Sequence, residues 1–356
     1  MRKNAMRLPV VLIVVGLVLL ISALFPTKFD FTRFAEEEYE MKTQTILEPF
    51  DRILAETADL NVILTLAPDG VCVVEYPEGE KLRVTVKTEN GALVVSQEKI
   101  LRFPFDMLPT NAAAQSVQIR LSERAYSALS VKTGSGDISV SDAFSFQSAE
   151  TRATSGNVSF AASAAQTRLE ATSGNISVCG GSIGATEAEA TSGKIFFENV
   201  RAASIDIKST SANICLENTR ASSIYSESTS GNAAFSSVSC EGTLEARTTS
   251  GTMDFSDVCC NALSAHSASG NVRAGNAVCD SSLAAVTTSG DIRLVGCDAG
   301  TVSIESTSGS VDARLLTPKR VTWKTASGSV SVPDDADGEP MNVTTTSGSI
   351  RVSSGE

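Results

Sequence analysis

Residues 283–311 read LAAVTTSGDIRLVGCDAGTVSIESTSGSV, and how this stretch is read decides the fold. Two Ser-Gly pairs, Ser289-Gly290 and Ser308-Gly309, stand 19 residues apart. Apolar residues occupy the second and fourth places after each glycine, Ile292 and Leu294 in one unit, Val311 and Ala313 in the next. The seventh and fifth places before each glycine repeat the alternation, with Leu283 and Ala285, then Val302 and Ile304. A period of two marks a strand with one buried face. Each unit is therefore strand, Ser-Gly turn, strand and connection, in a span too short for a useful helix.

The same unit fills the second half of the chain. Its glycine recurs at Gly136, Gly156, Gly174, Gly193, Gly231, Gly251, Gly270, Gly290, Gly309, Gly328 and Gly348, with Ala212 in the one gap and steps of 18 to 20 residues. The second residue after it is apolar in every unit from Ile138 to Ile350, and so is the fourth, from Val140 to Val352. Units whose apolar columns share a register hide them only by stacking. The expected fold is all-β: a parallel β-solenoid (β-helix) of about 12 rungs with repeats of about 19 residues. Aromatic residues make up only 5% of the chain, so the core is thin, and its wider part is expected to take Leu, Ile, Phe and the single Trp323.

Asp137, Asn157, Asn175, Asn232, Asn271 and Asp291 follow the turn glycine, and Asn213 follows Ala212 in its place. Gly-Asn and Gly-Asp are expected to place two residues tolerant of positive φ in succession, and the stacked Asn side chains to hydrogen-bond along the rod. Four places before the glycine stand Lys132, Arg152, Glu170, Glu189, Lys208, Glu227, Arg247 and His266, a mixture of signs that reads as a solvated, register-setting face. Cys240, Cys260 and Cys279 all lie nine residues after their glycines, so they are expected to stack at one corner. The spacing allows either one disulfide across neighbouring rungs or a buried column of free thiols. No C-x-x-C occurs among the eight cysteines, and no cofactor or metal motif is found.

At the N-terminus, Arg2, Lys3 and Arg7 precede an uncharged apolar run from Leu8 to Phe25. Such a run reaches about 27 Å as a helix, enough to span a hydrocarbon core. A cleaved signal has the same polarity, but Ser22-Ala23-Leu24 is a poor cleavage site, which favours a single-pass transmembrane anchor. The positive-inside rule leaves the N-terminus cytoplasmic and the bulk of the chain extracytoplasmic at the cell membrane. The domain plan is then an anchor at 1–28, a stalk at 29–49 bearing Glu36-Glu37-Glu38, a β-rich cap region at 50–115 and the solenoid at 116–356. Strands are expected at 59–66, 71–76, 81–87 and 92–98, punctuated by Pro68-Asp69-Gly70, Pro77-Glu78-Gly79 and Glu89-Asn90-Gly91. A net charge of -12 and a pI near 4.8 argue against nucleic acid as a partner.

Three stretches carry a family resemblance: Ala58-Asp59-Leu60-Asn61-Val62, Gly91-Ala92-Leu93-Val94-Val95, and the run from Ser116 through Tyr126 to Gly134-Ser135-Gly136-Asp137-Ile138. Together with the repeats, they are similar to the bacterial β-strand-repeat family of unknown function whose members are described as candidate adhesins, near the LiaG-type cell-envelope proteins. The resemblance covers about residues 45–356 and implies a membrane-surface setting. It brings no catalytic residues.

Function is expected to be non-enzymatic. Asp254, Asp291 and Asp312 are spread over separate rungs, which counts against a polysaccharide-active β-helix enzyme, the remote alternative. His266 has no Cys or Asp in register to build a triad. The remaining alternatives are an adhesin or envelope scaffold binding an envelope protein or wall polymer, and a structural or sensory accessory of an envelope-stress system. The second would act through an open last rung, Ser349 to Ser353, by pairing with a partner strand or by self-association.

Overall fold

The computed structural model describes residues 39–80, 82–99, 115–333 and 337–354. The chain divides into two compact units, Met1–Glu40 and Met41–Glu356, and only Tyr39 and Glu40 of the first are described. The expected anchor at 1–28 and the stalk up to residue 38 lie outside the described residues. Among the described residues every regular element is a strand, and no helix is long and apolar enough to cross a membrane. The described end of the expected stalk is itself a strand, Glu40–Thr45, which pairs with Val73–Glu78.

The second unit is an all-β parallel solenoid of about eleven turns. Its long strands, such as Ser145–Ala153, Ser163–Ala171 and Arg201–Ser209, form one wall, and its short strands, such as Val158–Phe160 and Lys194–Glu198, form the other. Pairing is in register, so each apolar place lies on its equivalent in the next rung. In the long wall Val131, Thr151 and Leu169 form one column, and in the short wall Ile138, Val158 and Ile176 form another. All six are buried. Phe235 and Phe255 stack at 5.0 Å with rings 6° from parallel, which fills the section where neighbouring rungs carry smaller residues.

Both ends depart from sequential stacking. At the N-terminal end, Arg52–Thr57 and Asn61–Leu66 lie directly against the first repeat, pairing with Ala125–Thr133 and Ile138–Val140. Ala92–Lys99 and Ser116–Leu121, which come later in the chain than the strands at 52–66, lie outside them. That outer rung is closed by antiparallel partners, Leu82–Glu89 on Ala92–Lys99 and Val73–Glu78 on Ser116–Leu121. A small β cap at this end is what an apolar first rung needs. The hairpin turns through Asn90 and Gly91, both at positive φ. Pro77, expected in a turn, instead lies inside the strand Val73–Glu78.

The C-terminal end is also exchanged. Glu339–Thr345 and Ile350–Ser354 insert beside Ile292–Ser306 and Val311–Leu315, and Lys319–Lys324 with Val330–Ser331 is pushed outside them. Two expectations fail here. The strand Ile350–Ser354 pairs along its length with Val311–Leu315 and at Ile350 and Arg351 with Val330–Ser331, so the segment Ser349 to Ser353 is not the outermost rung, and Trp323, expected inside, is 47% exposed. Trp323 still occupies an inward column, level with Val343 and Ile304, but no described strand covers its outer side. That column elsewhere holds Ile207, Ser226, Ala246, Ala265 and Ala285, and an indole within it would overfill the stack. Seated on the outermost rung, the large ring escapes this constraint.

Candidate functional site

The turn corner comes first, because the sequence singled it out. A Cβ on Gly156, Gly174, Gly231, Gly251, Gly270, Gly290 or Gly309 would stand 1.7 to 2.0 Å from the carbonyl oxygen of the residue beneath it. The remaining four turn glycines, Gly136, Gly193, Gly328 and Gly348, are pressed in the same way at 2.0 to 2.4 Å. Close stacking is therefore what selects glycine at these eleven places, with buried Ala212 the one place in the column where a Cβ is accommodated. Among these glycines only Gly193 and Gly328 have φ in the left-handed region, so the expected run of positive φ through Gly-Asn is corrected. Positive φ occurs instead six residues after the turn, at Gly180, Asn199, Asn218, Ser237, Asp257, Asn276 and Gly296.

The Asn and Asp column is a ladder. Asp137 Oδ1 accepts from the Asn157 amide at 2.7 Å, Asn157 Oδ1 from Asn175 at 3.0 Å, and Asn175 Oδ1 from Lys194 at 2.8 Å. Three places before the glycine, a hydroxyl tightens the turn from within: Thr248 Oγ1 accepts from the Gly251 amide at 2.9 Å and Ser267 Oγ from Gly270 at 2.7 Å. The Asn and Asp oxygens of this corner are thus committed to neighbouring rungs, and the inward hydroxyls to their own turn.

The mixed-charge face is equally occupied. Arg168 contacts Glu170 at 2.6 Å, Glu187 at 2.8 Å and Glu189 at 3.7 Å, and Arg152 reaches Glu170 at 3.2 Å. The hydrogen bond and charge of Glu170 raise the Arg168 pKa further, with smaller help from Glu189 and Glu187. His266 Nε2 lies 2.9 Å from Ser264 Oγ, both on the same outward face of one strand, with no carboxylate in the pair.

The structure places Cys240, Cys260 and Cys279 on successive rungs. They are buried, paired in register, and the Cys260 and Cys279 sulfurs stand 3.4 Å apart as free thiols. The Cys260 S–H to Cys279 contact and burial together push the Cys260 thiol up. Burial does the same to Cys240 and Cys297. Cys215 is pushed up to about 11, first by burial and then by its hydrogen bond to Glu217. Raised thiols are poor nucleophiles at neutral pH. Among the described residues no His, Cys, Asp and Glu side chains converge as a metal site would require.

The open end holds what the sequence reading missed. Lys319 is only 2% exposed, and its ammonium donates to Ala299 O at 2.7 Å and lies 2.7 Å from Asp298 Oδ1 and 3.3 Å from Glu339 Oε2. Burial pushes the Asp298 carboxyl up, but hydrogen bonds from Lys319 and Thr317, the Lys319 charge and the Ala299 amide outweigh it and hold the group below its ordinary value. Strand parity was the available signal: Lys319 lies two residues before Val321 and four before Trp323, on their inward face.

The model of the family described as Toastrack DUF4097 matches residues 53–241 and 238–356. The chain belongs to that family. Membership bears out the resemblance to β-strand-repeat proteins of unknown function described as candidate adhesins. Among solved structures, the chain is similar to a candidate adhesin from Bacteroides fragilis at 12% identity and a TM-score of 0.33, covering 76% of this chain and 98% of that one. It is similar to a candidate adhesin from Parabacteroides distasonis at 10% identity and a TM-score of 0.27, covering 89% and 98%. A candidate lipid-binding protein from the same species gives 11% identity and a TM-score of 0.28, covering 88% and 97%. Likenesses this distant carry no functional argument. No curated protein matches the chain.

Proposed function

We propose that this family member is a non-catalytic, adhesin-like interaction scaffold, held outside a membrane by its N-terminal segment and presenting its solenoid to an envelope protein or wall polymer. One observation carries the reading. Along the rod, the repeated polar columns are tied to their neighbours by ladder hydrogen bonds and ion pairs, and burial raises the Cys240 and Cys297 thiols. A surface so committed to its own register suits a rigid spacer better than a reaction centre. The apolar run after Arg2, Lys3 and Arg7 supports the membrane setting.

The test uses the full chain. Protease added to intact cells is expected to remove the solenoid, and purified wall material or crosslinking in the native envelope is expected to retain a reproducible extracytoplasmic partner. Protection from protease together with no partner in either assay would defeat the reading.

A second reading has its own observation. The outer edge of Lys319–Lys324 is unpaired among the described residues, which favours a structural or sensory accessory acting by strand pairing at that end. The pairing strand would come either from a partner protein or from a second copy.

A further inference from the structure

The outermost rung combines features found nowhere else on the described solenoid. The strand Lys319–Lys324 pairs with Glu339–Thr345 on one side, and no described strand meets its other side, so a row of backbone N–H and C=O groups faces outward. On its inward face, Val321 is half-buried and Trp323 is 47% exposed, where equivalent residues one rung in, Met341 and Val343, are buried. On its outward face stand Arg320, Thr322 and Lys324, all exposed. Their neighbours in register are Pro340, Asn342 and Thr344, and no acidic side chain pairs with either cation among the described residues. In a chain of net charge -12, this strand is cationic.

The edge is also held in place. Lys319, at its start, reaches past Glu339 to Asp298 and Ala299 on the strand beyond. An edge fixed before binding loses less freedom when a partner adds to it.

These features select an occupant. A second copy of the same strand is disfavoured: antiparallel pairing about Thr322 sets Arg320 opposite Lys324, and parallel pairing sets each cation on itself. Like charges directly opposite are destabilising. A soluble polyanion neutralises Arg320 and Lys324 but offers nothing to the backbone row or the indole. An extended peptide segment alternating acidic and apolar residues satisfies all three.

We propose that the outer edge of Lys319–Lys324 is a strand-accepting site for an acidic, alternating segment of a partner protein, with acidic side chains on Arg320 and Lys324 and apolar ones over Val321 and Trp323. It rests on the strand-pairing reading above and gives that reading a partner chemistry.

Trp323 is the single tryptophan of the chain, so fluorescence excited beyond the tyrosine absorption reports this rung alone. The full-length protein in detergent is titrated with a peptide of alternating Glu and Val, a counterpart of alternating Lys and Val, and inorganic polyphosphate. The Glu/Val peptide is expected to give a saturable blue shift that the other two do not. The double variant Arg320→Glu with Lys324→Glu, whose changes lie on the exposed face, is expected to keep its unfolding midpoint, bind the Glu/Val peptide about tenfold more weakly and accept the Lys/Val peptide. No shift with the Glu/Val peptide, or an equal shift with all three ligands, overturns the proposal. So does a blue shift that grows with protein concentration alone, which assigns the edge to a second copy. If wall-material binding persists when the peptide fails, this edge falls and the scaffold reading stands.

Discussion

Lys319 Nζ lies 2.7 Å from Asp298 Oδ1 although the strand containing Glu339 runs between their two strands. The ammonium has three protons and three partners, Asp298, Glu339 and Ala299 O, so it is buried without an unmet donor. Removing Lys319 leaves the partly buried Asp298 carboxylate without its cation and the Ala299 carbonyl without its donor, whereas Glu339 is exposed. Lys319→Met is therefore expected to lower stability by about 1 to 2 kcal/mol in urea unfolding. Because the cluster pins the outer rung, Trp323 emission is expected to shift red at lower urea than the loss of the far-ultraviolet strand signal. Coincident transitions with an unchanged midpoint would contradict this account.

The same cluster sets a pH dependence. Asp298 is held below its ordinary value of 3.8 in the folded chain, so the folded state binds its proton less readily than the unfolded state. The stabilisation is complete above the ordinary value and is lost as pH falls through the depressed one. Wild type and Asp298→Asn are expected to differ in thermal midpoint at neutral pH and to converge once pH has fallen through the depressed value. A difference that persists unchanged into acid would remove the carboxylate from the explanation.

Two glycines separate steric need from mere recurrence. A Cβ on Gly270 would meet Gly251 O at 1.7 Å, whereas on Gly275 its nearest neighbour is Phe255 O at 4.0 Å. Gly270→Ala is expected to cost more than about 4 kcal/mol or prevent folding, while Gly275→Ala stays within about 0.5 kcal/mol of wild type. Equal midpoints in thermal unfolding would show that the stack yields more readily than its geometry indicates.

Those glycines also show what the sequence makes legible. The column from Gly136 to Gly348 and the alternation around it specify stacked rungs because every unit obeys the same period, and the stacking of Cys240, Cys260 and Cys279 follows from that register. Stacking order at the ends was not legible. The unit around Gly328 and the unit around Gly348 carry equivalent patterns, so periodicity cannot say which lies outside. The deciding facts are local and steric, the bulk of Trp323 and the reach of Lys319. The reason for glycine is hidden in the same way: a sequence shows that the residue recurs, and only the rung beneath shows whether φ or close approach demands it.

One substitution is expected to change sign between two buried positions. Thr248 Oγ1 accepts the Gly251 amide at 2.9 Å, so Thr248→Val leaves that amide without its partner inside the turn. Thr186 is 1% exposed, level with Thr167 and Ile205 in the long wall, and its hydroxyl has no hydrogen-bond partner. Valine has nearly the same shape, so Thr186→Val replaces an unmet hydroxyl with a methyl that Ile205 can pack against. A net hydrogen bond is worth about 1 kcal/mol, and an unmet buried polar group costs at least as much. Urea unfolding is expected to place Thr248→Val about 1 kcal/mol below wild type and Thr186→Val up to about 1 kcal/mol above it. If both variants lost stability equally, the inward hydroxyls of the wall would have to be bonded in solution, and the turn hydroxyls would lose their special standing.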